Sequence, residues 1–146
     1  NFRRKNMAKL NIIYFSGTGN TEQIASFIEE GAKAAGAEVE IISVDSADES
    51  SVDADFVAFG SPATGSEEVA PEIVDYIEGV KEKLAGKRVG LFGSNDWGEG
   101  DFMSMWIQEL DNADVSVVGE GCIIYLAPDD DEKIAKCKEY GKAIVG

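Results

Sequence analysis

The stretch F-S-G-T-G-N-T-E, residues 15–22, closes the apolar run L-N-I-I-Y-F (10–15) and opens T-E-Q-I-A-S-F-I-E-E-G-A-K-A-A-G (21–36). The run before it is short, β-branched and aromatic, which reads as a buried strand. The run after it carries Ile24, Phe27, Ile28 and Gly31 at helical spacing and stops at Gly36. Between them stand Gly17 and Gly19 with the short donors Ser16, Thr18, Asn20 and Thr21. Small residues let backbone N–H groups converge there, and the helix N-terminus adds partial positive charge. Such a loop suits a phosphate. No Lys or Arg lies between Lys9 and Lys33, so neutral donors alone would hold it. A Walker loop requires a lysine that is missing here, and the dinucleotide fingerprint requires a third glycine where Glu22 stands. A bare turn capped by Asn20 or Thr21 would need one such residue, not four.

Outward from this loop, strand and helix patterns alternate. V-E-I-I-S-V (39–44), D-F-V-A-F-G (55–60) and K-R-V-G-L-F-G (87–93) read as strands, and V-S-V-V-G-E-G-C-I-I-Y-L (115–126) as a broken fifth strand. Helices are expected at 71–86, between Pro71 and Gly86, at 101–112 with Asp101 as N-cap, and at 129–145. P-D-D-D-E (128–132) places its acids in the first turn of that last helix, where the dipole favours them. Alternation with short loops predicts a parallel sheet covered on both faces, a three-layer α/β/α sandwich. The loops after strands one, three and four are rich in Gly, Ser and Thr and lie at the carboxyl ends of strands, where open α/β sheets bind ligands.

Composition narrows the class. The 146 residues fit one domain, and 44% hydrophobic residues argue against disorder. No apolar run is long enough for a membrane helix and no signal peptide is visible. Met7 marks residues 1–7 as an N-terminal extension, from cloning or an upstream start, before a domain at 8–146. With no histidine and only Cys122 and Cys137, a zinc site lacks ligands; two reduced thiols and a cytoplasmic location are expected. A net charge of −15 disfavours nucleic acid and anionic membranes and suits a basic partner protein or simple solubility.

With S-G-T-G-N-T (16–21), A-T-G-S-E (63–67) and F-G-S-N-D-W-G-E-G (92–100) in that order, the chain resembles the short-chain flavodoxins of anaerobic bacteria over residues 8–145. The resemblance implies a flavodoxin-like fold with a five-stranded parallel sheet of order 2-1-3-4-5, FMN bound at the switch between strands one and three, and a monomer. Flavodoxin is itself the usual illustration of that strand order. The resemblance also implies a low-potential one-electron carrier, not an enzyme, working mainly between semiquinone and hydroquinone. The FMN phosphate would rest on Ser16, Gly17, Thr18, Gly19, Asn20 and Thr21. The ring would lie between Ser61, Pro62, Ala63, Thr64, Gly65, Ser66 and Glu67 on one side and Ser94, Asn95, Asp96, Trp97, Gly98 and Gly100 on the other. Trp97 would stack on it, the Gly65 carbonyl would turn toward N5 on reduction, and Glu67 would accept from N3–H.

Physical chemistry supports these roles. Stacking on an indole gives roughly 0.5–1.5 kcal/mol beyond area burial. A newly protonated N5 left unpaired would cost about 1–3 kcal/mol, and a glycine carbonyl can swing to it. Each carboxylate about 10 Å away, at an effective dielectric near 40, opposes an anionic reduced flavin by roughly 0.8 kcal/mol. Glu67, Glu68, Asp96, Glu99 and Asp101 would thereby lower the second couple and face a basic redox partner. Thr64 and Asn95 stand where relatives often carry methionine and tyrosine, and Leu126 replaces an amide near the ribityl chain. The alternative is an FMN-dependent quinone or nitro reductase on the same fold, for which a chain this short leaves little room beside the flavin. A receiver-type signalling domain would need acids where S-G-T-G-N-T stands.

Overall fold

A computed structural model describes residues 8–17, 19–64, 68–95 and 101–146. Its strands are β1 (Lys9–Tyr14), β2 (Glu38–Ser43), β3 (Phe56–Thr64), β4 (Glu68–Val69), β5 (Arg88–Asn95), β6 (Ser116–Val117) and β7 (Cys122–Tyr125). Its helices are α1 (Asn20–Ala34), α2 (Pro71–Leu84), α3 (Asp101–Asn112) and α4 (Asp131–Val145). Within the sheet the order is β2-β1-β3-β5, with β6 and β7 both pairing with β5, all parallel. This is the expected sandwich, with the fifth strand in two pieces and one antiparallel addition, β4 on the end of β3.

Residue alternation sorts the core into two layers, because successive side chains of a strand point to opposite faces. Leu10 and Ile12 of β1, Ala58 of β3 and Phe92 of β5 pack under α1 and α4. Ile13, Val57, Phe59, Val89 and Leu91 face the other way, under α2 and α3. Both faces of these central strands are buried, which explains why they read as largely apolar runs, β1 interrupted only by the buried Asn11. Helices α1 and α4 lie against each other: a Cβ on Gly31 would collide with the Lys138 backbone, and one on Gly141 with the Ile28 carbonyl.

The break between β6 and β7 has a specific filling. Val89 pairs with Val117 and Phe92 with Cys122, so after Val118, whose N–H still donates to the Val89 carbonyl at 2.8 Å, the chain from Gly119 to Gly121 carries extra residues that do not pair with β5. The Tyr140 hydroxyl enters the gap, accepting from the Leu91 N–H at 3.1 Å and donating to the Val118 carbonyl at 2.8 Å. One α4 side chain thus replaces a missing rung of the ladder. Beside it Cys122 and Cys137 are both free and buried. The neighbouring Cys122 thiol, and then burial, push the titration of Cys137 far up.

Several boundaries differ from expectation; α4, for one, begins at Asp131 rather than 129. Strand β3 runs past Gly60 to Thr64, where S-P-A-T reads as loop because proline lacks the ladder donor. Strand β5 likewise runs through Ser94 and Asn95. Asp101 is the first residue of α3 rather than its cap. At α4 the cap is Asp130, whose carboxylate accepts the Lys133 N–H at 2.8 Å.

Candidate functional site

The glycine-bearing loop joins β1 to α1 at the carboxyl end of the sheet. Phe15 still belongs to the sheet edge, its N–H donating to the Gly60 carbonyl at 3.0 Å. Gly19 caps α1 at φ 95°, a left-handed conformation that a side chain resists. Its N–H donates to Ser16 Oγ at 2.9 Å, and its carbonyl accepts the Gln23 N–H at 3.1 Å. Ser16 Oγ therefore acts as acceptor inside the loop and keeps its own proton to donate outward. Neither Gly17 nor Gly19 has any neighbour within 4 Å of where a Cβ would stand. The backbone here faces open space at the positive end of a helix of 15 residues.

Thr21 fixes this loop to the rest of the site. It is 1% exposed, and its hydroxyl lies 3.3 Å from Ser94 Oγ on β5. Two sequence segments 73 positions apart are joined by that contact. Tyr14 and Glu22, which sequence reasoning passed over, flank the loop from its two ends. The Tyr14 phenol titrates above its ordinary range, first through burial and then through the charge and hydrogen bond of Glu22. A tyrosine ending a strand and a glutamate in the next helix's first turn were the available signal.

The second expected loop is a hairpin. Ala63 pairs with Val69 and Thr64 with Glu68, antiparallel. Ser61 is wholly buried; its hydroxyl donates to the Pro62 carbonyl at 2.7 Å and accepts the Ala70 N–H at 2.8 Å. Thr64 Oγ1 donates to the Glu68 carbonyl at 3.0 Å. The Ser61 and Thr64 hydroxyls thus brace the hairpin, while Pro62 pairs in register with Ser94. Ser94 and Asn95 are both buried, and the Asn95 carbonyl accepts the Leu126 N–H at 2.8 Å. Thr18, Gly65, Ser66, Glu67, Asp96, Trp97, Gly98 and Gly100 lie outside the described residues. The described members of all three loops gather at one end of the sheet, at the carboxyl ends of β1, β3 and β5.

A doubly wound α/β sandwich with a glycine-bearing, cation-free loop at its first strand-to-helix turn has the build of the α/β proteins that bind ligands at the carboxyl ends of their strands. Among the described residues, no group of acids and thiols is placed to hold a metal ion. The family model for flavodoxin matches residues 12–140. Flavodoxin of Megasphaera elsdenii is 41% identical over 134 residues, covering 90% of this chain and 95% of that one. Flavodoxin of Clostridium beijerinckii is 34% identical over 137 residues, covering 92% and 98%. The solution structure of two-electron reduced Megasphaera elsdenii flavodoxin superposes with a TM-score of 0.82 at 40% identity, over 92% of this chain and 97% of that one. The chain belongs to the flavodoxin family. It is an FMN-binding electron-transfer protein, and these relatives do not favour the reductase alternative.

The donor set fits FMN. A phosphate monoester needs several short donors and a favourable dipole, which Ser16, Asn20, Thr21 and the start of α1 provide without a cation. When bound, FMN supplies the redox chemistry.

Proposed function

We propose that Ser16 to Thr21 hold the FMN phosphate and that the segments Ser61 to Glu67 and Ser94 to Gly100 flank the ring. The observation that carries this reading is the Thr21–Ser94 hydroxyl contact, which sets the phosphate loop beside the strand that precedes Trp97. With Ser94 donating to it, Thr21 would be held ready to donate to the phosphate; Ser16 accepts from the Gly19 N–H and would donate outward; Gly19 turns the backbone at the start of the helix. Gly65 falls in the sequence between the paired Thr64 and Glu68, and its carbonyl would meet the ring N–H formed on reduction. Acidic residues, among them Glu68 and Asp101, would favour operation at the lower-potential one-electron step and docking to redox proteins with basic faces. We propose further that the chain works as a monomer in the cytoplasm, a setting that suits two free buried thiols.

Titration of the flavin-free chain with FMN and with riboflavin tests the phosphate loop. Because a hydrogen bond to a charged group contributes about 1.5–3 kcal/mol, Thr21→Val should weaken FMN roughly 10- to 100-fold and leave riboflavin unchanged. Equal affinity of the parent for the two flavins would overturn the assignment. Stepwise anaerobic reduction of the loaded chain should show two resolved one-electron steps; a single two-electron step would speak for enzyme-like use.

A further inference from the structure

Between α2 and α3 the surface opens into a groove of about 330 Å³. Its floor is the buried Phe102 ring, and its walls carry Val74 and Met105. Val74 is 42% exposed and Met105 60%, two of the four large apolar side chains that stand most open among the described residues. The lip is acidic: Glu68, Asp75 and Glu109 line it, and among the described residues none of the three forms an ion pair. Lys81, further down the same helix pair, is engaged with Glu78 at 3.0 Å. The second exposed apolar pair, Tyr125 and Leu126, has the lysines Lys133 and Lys136 in its pocket, Lys133 5.8 Å from the Tyr125 ring and paired with Asp129.

We infer that this groove is the anchor site for a redox partner that inserts an apolar side chain or prosthetic-group edge surrounded by lysines or arginines. The inference rests on the proposed function and adds where the partner sits. Charge complementarity selects the occupant: a second copy of this chain would bring another −15 to the same acidic lip and be repelled. Position selects the role. Glu68 and Val69 of the groove are β4, paired to Thr64 and Ala63 of the segment proposed to flank the ring. A partner seated there stands next to the flavin mouth. Interfaces of this kind place the binding energy in a desolvated apolar centre and the encounter rate in the charged rim. Met105 suits the centre, since its flexible thioether can repack against partners of different shape.

Mitochondrial cytochrome c, with an exposed haem edge ringed by lysines, serves as probe. In stopped-flow mixing, one electron leaves the reduced FMN-loaded chain and reduces the ferric haem iron to ferrous. Val74→Ser together with Met105→Ser should slow the second-order rate about tenfold at every ionic strength, with the salt dependence unchanged. Glu109→Gln should flatten the salt dependence. FMN affinity and both reduction steps should be unaffected in all variants. A double variant as fast as the parent would overturn the inference. Shift mapping of the isotope-labelled chain, as purified, with ferrous cytochrome c is independent of electron transfer. Perturbations at residues 69–75 and 102–109 support the groove, and perturbations confined elsewhere overturn it. Failure of the proposed function shows separately, as equal affinity for FMN and riboflavin.

Discussion

At Leu126 the backbone takes φ 60°, where a side chain crowds its own carbonyl and costs about 1 kcal/mol. The residue is 41% exposed, so little burial offsets that strain, while its N–H is held by the Asn95 carbonyl at 2.8 Å. Asparagine tolerates this conformation and keeps the N–H. Leu126→Asn should therefore stabilise the fold by about 0.5–1 kcal/mol, read as a raised urea midpoint. An unchanged or lowered midpoint would show that the side chain packs where the strain argument gives it no role. Gly19 differs in this respect. There the left-handed turn falls on a glycine and is visible in the sequence as part of S-G-T-G-N-T; at Leu126 nothing local announces it. The turn is imposed by the end of β7 meeting the end of β5.

Among the elements, α1 and α4 approach so closely that only hydrogen fits at their crossing. Gly141→Ala would drive a methyl into the Ile28 carbonyl. Overpacking of this sort costs typically 1–3 kcal/mol, and that loss is expected in denaturant melts. Gly79, on α2, has nothing within 4 Å of its would-be Cβ, so Gly79→Ala should instead stabilise by up to about 1 kcal/mol through helix propensity. If both substitutions destabilised alike, the close crossing would not be what distinguishes them. All four helices and the central strands were legible from periodicity, because each buries a continuous face or stripe of its own residues. Gly31 and Gly141 were legible only as residues on a helical pattern; their reason lies in the neighbouring helix. The hairpin β3–β4 was missed because Pro62 reads as a strand end. Its brace is Ser61 Oγ, satisfied from Ala70 nine residues on.

For the molecule as a whole, the joint between β6 and β7 is a point where alkaline pH acts on the fold. Burial pushes the Tyr140 phenol up to about 12, against the Leu91 N–H bond that pulls it down. The unfolded chain releases this proton near the usual value of about 10, so between the two the native state binds more protons than the unfolded one. Stability contributed by the group is complete below about pH 10 and falls as pH rises, with on the order of 2–3 kcal/mol lost by about pH 12. Tyr140→Phe should remove this part of the alkaline slope, and the difference between parent and variant urea midpoints across that range measures it. Parallel curves would mean the phenol does not bridge the strands. Repulsion among the chain's acids acts on both proteins and cancels in the comparison.

The sequence by itself determined the alternation of strands and helices, the two-faced burial of the sheet and the glycine-bearing loop at the first strand-to-helix turn. These follow from short-range pattern and from the rule that polar loops gather at strand ends. It also carried the family, through three motifs in order. Tertiary structure alone decided which distant residues meet. Thr21 is held by Ser94, the interrupted strand is completed by Tyr140, and the groove beside the hairpin is walled by Val74 and Met105 from different helices. Each depends on atoms brought together across many residues of chain, and local propensity carries no record of such contacts until packing has fixed both partners.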